Sequence, residues 1–582
     1  MDRVEIGNVI AALKLRVDQQ LEDVDNLATF VPIIDFPALT SANSHIIYGR
    51  NGTGKTHLLK AFHEYCEGDY EHTKILPVYI DCKTLELGTV GPEIEITFLV
   101  VRYYGLFVAR VVEALNKFAN TMLKPGLLEQ MFGGDAVRRR NTIKASITDL
   151  QAIFRGEVIE ERVKKFQLTR QSKRETKTGV SAGLTLKLDK LEPTFEARGG
   201  LTAEDTQQRG EAVELIYDGL SVIDYDEVRS KIELIIEQIG ARSIIILIDE
   251  WSAIDLSLQP VLAEIIRKTL SASNRINLKI VALKYWTRLT AAVKPPQRIG
   301  LQPGIDIFAI ADLDELLCYD IDSQAVKDFL TLVAYRHCAA SSDTIAKLTP
   351  SGFERSMCSD LFDSPSAYLE IVRASEGNPR DFLGLLAACC SSRLNKGKIL
   401  TQRDAVNAAV AHFVNSKEAN LKTFDKAVVV LYKKLFERVV KNKQKLFLLT
   451  SDLVDRNDRL RELLHYRFIH LVNPSYPVLT DSGLPHTYTV FSMDYGNLAR
   501  LKVTSAGEKV VQSAVSAAEI LGKMIGGPWN LAGFITTALK GSGVEENLIK
   551  TAGLTVVGGG GVESGNIDPE ILVPNCVYDD LL

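Results

Sequence analysis

Eight consecutive residues, Gly49-Arg50-Asn51-Gly52-Thr53-Gly54-Lys55-Thr56, match the spacing G-x-x-x-x-G-K-[ST], a pattern built for gripping phosphate. Glycines at 49, 52 and 54 admit backbone conformations closed to other residues and bring N–H groups against phosphate oxygens. Lys55 is spaced to reach the β- and γ-phosphates of a nucleotide, Thr56 to offer a hydroxyl to Mg²⁺, and the positive end of a following helix to face the anion. Asn51, Thr53 and His57 complete the candidate nucleotide-contacting set. A second chemical group, Asp249-Glu250, ends the run Ile244-Ile245-Ile246-Leu247-Ile248. Carboxylates at the carboxyl end of a buried strand lie where a parallel sheet places ligands. Asp249 is then expected to hold the Mg²⁺ shell through water, and Glu250 to polarise a water for hydrolysis of ATP.

The elements needed to position these groups are legible around them. His45-Ile46-Ile47-Tyr48 predicts a short buried strand before the loop, and Leu58, Leu59, Phe62 and Tyr65 fall at helical spacing after it. Residues 75–81 predict a second strand, 93–122 a long helix, 225–239 a helix, 258–270 another, and 278–283 a further central strand ending at Lys284-Tyr285, whose polar groups could sense the γ-phosphate. Residues 306–311 predict a last strand. The order is α/β, wound on a mainly parallel sheet. Phe30-Val31-Pro32 and Phe36-Pro37 approach the loop as an extended apolar segment, to lie against a base or simply to pack.

Residues 124–206 break that rhythm with Arg138-Arg139-Arg140 and then Arg162, Lys164, Lys165, Arg170, Lys173, Arg174 and Lys177. They predict an insertion projecting from the core, able to grip a phosphate backbone or an acidic partner, or else standing as a solvated charged arm. From about residue 313 the pattern is helical. There Asn378 is a good N-cap and Pro379 a good first residue, which puts Arg380 in a first turn where the helix dipole disfavours a cation. Arg380 is therefore either a hand laid on nucleotide phosphates or a charge neutralised by Asp381. After residue 417 the order is helix (421–441), helix (452–466), strand, turn, strand (487–493), as in a winged helix. Its second helix would carry Arg456, Arg459 and Arg461 to a groove, diluted by Asp452, Asp455 and Asp458. An amphipathic helix (508–524) and a glycine-rich tail to 582 end the chain.

At 582 residues the chain is too long for one core and suggests about three or four units. Its 46% hydrophobic and 24% charged content is that of a soluble globular protein. A net charge of -5 excludes a wholesale basic coat, so any nucleic-acid surface is local. The eight cysteines include no C-x-x-C pair, a pattern that suits reduced buried thiols in a cytoplasm. The most apolar long segment, 96–115, carries Arg102 and Arg110 and predicts a buried amphipathic helix, not a membrane span.

These motifs together resemble the AAA+ ATPases, and within them the origin-recognition initiator clade and its prokaryotic relatives. The carriers are GRNGTGKT (49–56), IIILIDE (244–250), GNPRDFL (377–383) and the winged-helix-like end YTVFSMDYG (488–496). The resemblance implies an ATPase core over residues 1–315, a helical lid over 316–416 with Arg380 as its sensor-two arginine, a winged-helix-like domain over 417–505 and a tail from 506. It also implies ATP and Mg²⁺ at the junction of core and lid, completed by an arginine from the next subunit, for which Arg298 is the first candidate and Arg288 the second. The family has a small polar residue where this strand ends in Lys284-Tyr285. Three functions follow: an ATP-driven assembly switch engaging nucleic acid or an effector protein, a DNA-binding adaptor with ATP as structural ligand, or a signalling ATPase restraining a separate effector chain. The likeness to ATPases of bacterial antiviral systems is an association only.

Overall fold

The computed structural model describes residues 3–14, 25–85, 96–122, 134–154, 223–294, 297–440, 444–454, 457–479 and 485–503, with isolated positions from 509 to 518. The basic run Arg162 to Lys177, Asp455, Arg456 and the glycine-rich tail lie outside the described residues.

Among the described residues up to 312 there are seven strands: β1 (His45–Tyr48), β2 (Ile75–Asp81), β3 (Ser243–Asp249), β4 (Ile276–Ala282), β5 (Thr290–Lys294), β6 (Gln297–Gly300) and β7 (Phe308–Asp312). Five of them form one sheet in the order β2-β3-β4-β1-β7, every neighbouring pair parallel. β3 is buried at every position, and its alternating residues feed two different cores. Ile244, Ile246 and Ile248 pack with the helices Ile96–Met122 and Tyr225–Ile239, whereas Ile245 and Leu247 pack with the helix Lys55–Gly68. A strand covered on both faces has no use for polar alternation, which is why its sequence is a continuous branched-aliphatic run. The crossover helices carry the chain back so that the ends of β1 and β3 open on the same edge.

Two expectations about these residues change. Asp135–Ile153 is a single helix whose Ile143, Ser146, Leu150 and Ile153 are buried against the core. This part of the supposed insertion therefore packs instead of projecting. β5 and β6, not expected from the sequence, pair antiparallel in a two-stranded sheet of their own. The helix Ile96–Met122 buries Tyr104, Phe107, Val111 and Leu115, and among the described residues no helix is long and apolar enough to cross a membrane.

A helical unit follows the core and is called the lid below; its longer described helices are Ser323–Ala339, Pro350–Asp360, Pro365–Ala374, Pro379–Lys396 and Gln402–Ser416. Asp322, Thr349, Asn378 and Thr401 each accept a first-turn N–H, so four of these helices start on a side-chain cap. The first helix of the chain, Arg3–Lys14, was assigned to the ATPase core, yet its Ile6, Val9, Ala12 and Leu13 join the apolar core of the lid.

The C-terminal unit runs through the helix Lys426–Leu435, a π turn at Phe436–Val440, β8 (Leu446–Thr450), the helices Ser451–Val454 and Asp458–His465, β9 (Ile469–Leu479) and β10 (Pro485–Met493). The sheet is antiparallel in the order β8-β10-β9. β8 was not expected, and the helix expected over 452–466 is two helices. Phe447, Leu460, Phe468 and Phe491 belong to the same apolar core as Phe382 and Phe413 of the lid, so lid and C-terminal unit are packed as one body.

Candidate functional site

A cavity of about 1010 Å³ opens at the carboxyl edge of the parallel sheet, between the sheet and the lid. Residues 51–57 line its floor, Asp249 and Glu250 one wall, and Arg380 and Leu383 of the lid the other. Gly52 and Gly54 hold φ of 93° and 92°, conformations that the spacing of glycines anticipates. A Cβ at Gly52 would stand 2.5 Å from Asn378 Oδ1 and 2.9 Å from Arg380 Cβ. That glycine is needed for the lid to meet the loop at all.

Lys55 is buried and donates from Nζ to the carbonyls of Gly49 (2.6 Å) and Arg50 (2.9 Å). Burial lowers its pKa, against the opposing pull of Glu250, Asp314 and Asp249. Asp249 is buried; desolvation raises its pKa, while hydrogen bonds from Tyr79 and Thr56 work the other way. The Tyr79 hydroxyl lies 2.7 Å from Asp249 Oδ2. Thr56 and Asp249 thus come together as two hard oxygen donors, the donor chemistry that suits Mg²⁺ completed by water and phosphate. Glu250 adopts a left-handed backbone conformation at φ 53°, which swings its side chain out of line with the strand. Its N–H caps Asp249 Oδ1 at 2.8 Å, and its carboxylate is ion-paired with Lys83 at 2.8 Å.

The lid supplies the other side. Asn378 Nδ2 donates to the carbonyl of Asn51 (2.8 Å), and the Arg380 N–H to the carbonyl of Gly52 (3.3 Å). Of the two readings of Arg380, neutralisation by Asp381 does not match the geometry. Asp381 is buried and turned away, paired with Arg467 (2.7 Å), His412 (3.4 Å) and Lys417 (3.5 Å). Burial opposes ionisation of Asp381, but Arg467 and Lys417 hold it well below the usual carboxylate range. Arg380 is exposed to the cavity and close enough to Lys55 to bear on its charge.

At the other end of the cavity Phe30 stacks on Phe36 (5.5 Å) and meets the edge of His57, so the approach segment both packs and lines the site. His57 lies against His337, and burial lowers both to about 4. Both imidazoles are therefore neutral at ordinary pH, forming a half-apolar slot suited to a base.

One expected residue, the strand-end Lys284, is placed elsewhere. Lys284 does not line the cavity; it is bound to Asp312 (2.8 Å) and Glu315 (3.2 Å). Arg298 and Arg288 are exposed and also away from it, on or beside the β5–β6 pair. In the C-terminal unit Arg461 pairs with Asp458 (2.9 Å), and with His465 it lines a small cleft against Trp286 of the core. That face of the helix meets protein, not an open groove, while Arg459 is half-buried. Lys83, Tyr79 and His337 were missed, and Asn378, read as a helix cap, also grips the loop. Each acts through a contact between segments distant in sequence.

The family model for ORC-CDC6-like proteins matches residues 19–317. The chain belongs to that family. The match makes it an origin-recognition-like AAA+ protein, and such proteins generally bind and hydrolyse ATP with Mg²⁺. Among solved structures it matches the Orc1 protein of Aeropyrum pernix in complex with DNA, at 12% identity, covering 89% of this chain and 93% of that one, with a TM-score of 0.26. No curated protein matches this ORC-CDC6-like chain.

Proposed function

We propose that this ORC-CDC6-like chain binds ATP between its parallel sheet and its lid, hydrolyses it, and uses the nucleotide to switch an assembly that engages nucleic acid or an effector protein. The observation that carries this reading is the convergence of Lys55, Thr56, Asp249, Glu250 and Arg380 on one cavity from three separated stretches of chain. In the proposed chemistry, loop N–H groups and Lys55 hold the β- and γ-phosphates, and Arg380 balances their charge from the lid. Thr56 and Asp249 would hold Mg²⁺, which supplies charge neutralisation at the phosphates. Glu250 orients a water and takes its proton as the oxygen joins the γ-phosphorus and the bond to the β-phosphate oxygen breaks, releasing ADP and phosphate. Arg298, or Arg288, reaches the site of a neighbouring copy.

The core up to residue 315, the lid over 316–416 and a winged-helix-like unit over 417–505 would divide the work in a cytoplasmic protein. Support for the third is its order of helix, strand, two helices and a two-stranded return. Nucleic acid would be met by the basic run Arg162 to Lys177 or by Arg456 and Arg459. A second reading, a DNA-binding adaptor in which ATP is a structural ligand, is favoured by one observation: Glu250 is restrained by Lys83.

The test is ATP binding, turnover and assembly of Lys55→Ala and Glu250→Gln. Lys55→Ala loses binding; Glu250→Gln keeps binding and loses turnover by about 100-fold or more. Turnover retained in both variants overturns the first reading. Wild-type binding without turnover selects the second.

A further inference from the structure

The phosphate loop is held in part from the far end of the chain. The side chain of Arg50 leaves the loop and is buried: its backbone N–H and Nε donate to Asp314 Oδ1 (3.1 and 2.7 Å), and one guanidinium nitrogen donates to the carbonyl of Glu376 (3.4 Å). The other donates to Nδ1 of His470 on β9, 420 residues away. His470 in turn donates from Nε2 to Asp494 Oδ2 (2.8 Å), which fixes the tautomer that leaves Nδ1 as an acceptor. Lys417 binds the same Asp494 oxygen and reaches Asp381, the residue after Arg380. A parallel line runs through Lys445, held by Asp320 (2.7 Å) and Glu376 (3.0 Å), with the Tyr495 N–H on Glu376 (2.8 Å). Arg50, Glu376, Asp381, Lys417, Lys445, His470 and Asp494 are each no more than 8% exposed.

Buried charges joined in series cannot be broken singly at low cost, because each break strands a charge in a medium of low dielectric. The line also ends on working parts. The carbonyl of Arg50 accepts Lys55 Nζ (2.9 Å) and the Thr53 hydroxyl (2.9 Å), so the peptide anchored by His470 is the one against which Lys55 is set. We propose that His470 is a positioning residue for nucleotide binding: from the C-terminal unit it holds Arg50 and the phosphate loop, so that ATP affinity and the seating of that unit are one coupled equilibrium. The proposal rests on the reading of residues 49–56 as the ATP site. It makes the C-terminal unit part of the ATPase, beyond any part in meeting a partner.

The experiment uses the full chain with His470→Leu, His470→Asn, Arg50→Met and the double variant His470→Leu/Arg50→Met, each checked for fold by circular dichroism and gel filtration. Two readouts are taken: amide hydrogen exchange of residues 49–56 without nucleotide, and affinity for a slowly hydrolysed ATP analogue. His470→Leu is expected to raise exchange in the loop and weaken the analogue about tenfold. His470→Asn keeps an acceptor near the Nδ1 position and stays within about threefold of wild type, and the double variant is no weaker than the weaker single variant. Unchanged loop exchange with unchanged affinity in folded His470→Leu overturns the proposal, as do fully additive single effects. If His470→Leu does not fold, Arg50→Met must raise exchange at residues 469–471 from the other side, and unchanged exchange there overturns it. If loop exchange responds but wild type binds no analogue, the ATP reading fails and the link between the two units stands.

Discussion

The ion pair between Lys83 and Glu250 makes a prediction that can be worked through. At 2.8 Å, two unit charges attract by about 1.5 kcal/mol in water, and by more at lower effective dielectric. Lys83 is 60% exposed at the side chain and Glu250 20%, so solvent screening and the entropy of holding a lysine leave a net restraint of about 1 kcal/mol. For Glu250 to orient a water it must give up this partner. Removing the partner in Lys83→Ala is therefore expected to raise kcat by about fivefold, since 1 kcal/mol corresponds to that factor, with little change in ATP affinity. The pair is partly exposed, so salt should weaken it. The ratio of variant to wild type then shrinks as ionic strength is raised from about 0.05 to 0.5 M. The assay is steady-state phosphate release at saturating ATP across that salt range, with Glu250→Gln/Lys83→Ala as a silent control. A folded Lys83→Ala whose kcat is equal to or below wild type at low salt refutes the reasoning, and a clear fall would make Lys83 a participant in the chemistry.

Further consequences can be checked alongside. Gly52→Ala combines a φ of 93° with a methyl aimed at Asn378 and Arg380; it should cost about 1–3 kcal/mol in strain and weaken ATP binding by more than tenfold, read by thermal melting and nucleotide titration. Asp381→Asn leaves Arg467 and Lys417 facing a neutral group, which should destabilise the folded chain by about 3–5 kcal/mol in denaturant titration, at pH 7 where the contribution of a carboxylate with depressed pKa is fully present. His57 and His337 are lowered to about 4 and His470 to about 3, each chiefly by burial. The unfolded chain then binds more protons than the folded one below about pH 6.5, so stability should fall on acidification from pH 7 to 5, by up to about 1.4 kcal/mol per buried histidine per pH unit, and melting temperature with it. A flat profile would contradict the burial of these rings.

What the sequence made legible was local. The glycine spacing, the aliphatic run ending in Asp249-Glu250 and the Asn378-Pro379 helix start each announce their geometry within eight residues, because hydrogen-bonding and steric rules act over that range. Contacts between distant segments carried no such sign. Lys83 sits after β2 in a stretch with no periodicity, and nothing near residue 470 points to residue 50. Whether Asp381 neutralises Arg380 could not be settled by adjacency, because on a helix neighbouring residues face different ways. Asp135–Ile153 was misread because three arginines in a row drew attention from Ile143, Ser146, Leu150 and Ile153, which recur at helical spacing on the buried face. β8 was missed because four apolar residues, Leu446 to Leu449, following a lysine-rich segment fit a helix end as well as a strand.

The most direct measurement is a density map of the full chain mixed with Mg²⁺ and a slowly hydrolysed ATP analogue. The account predicts the triphosphate along residues 49–56, in contact with Lys55 and Arg380, with Asp249 and Glu250 facing its terminal phosphate. A nucleotide bound elsewhere, or phosphates remote from Lys55 and Glu250, would contradict it.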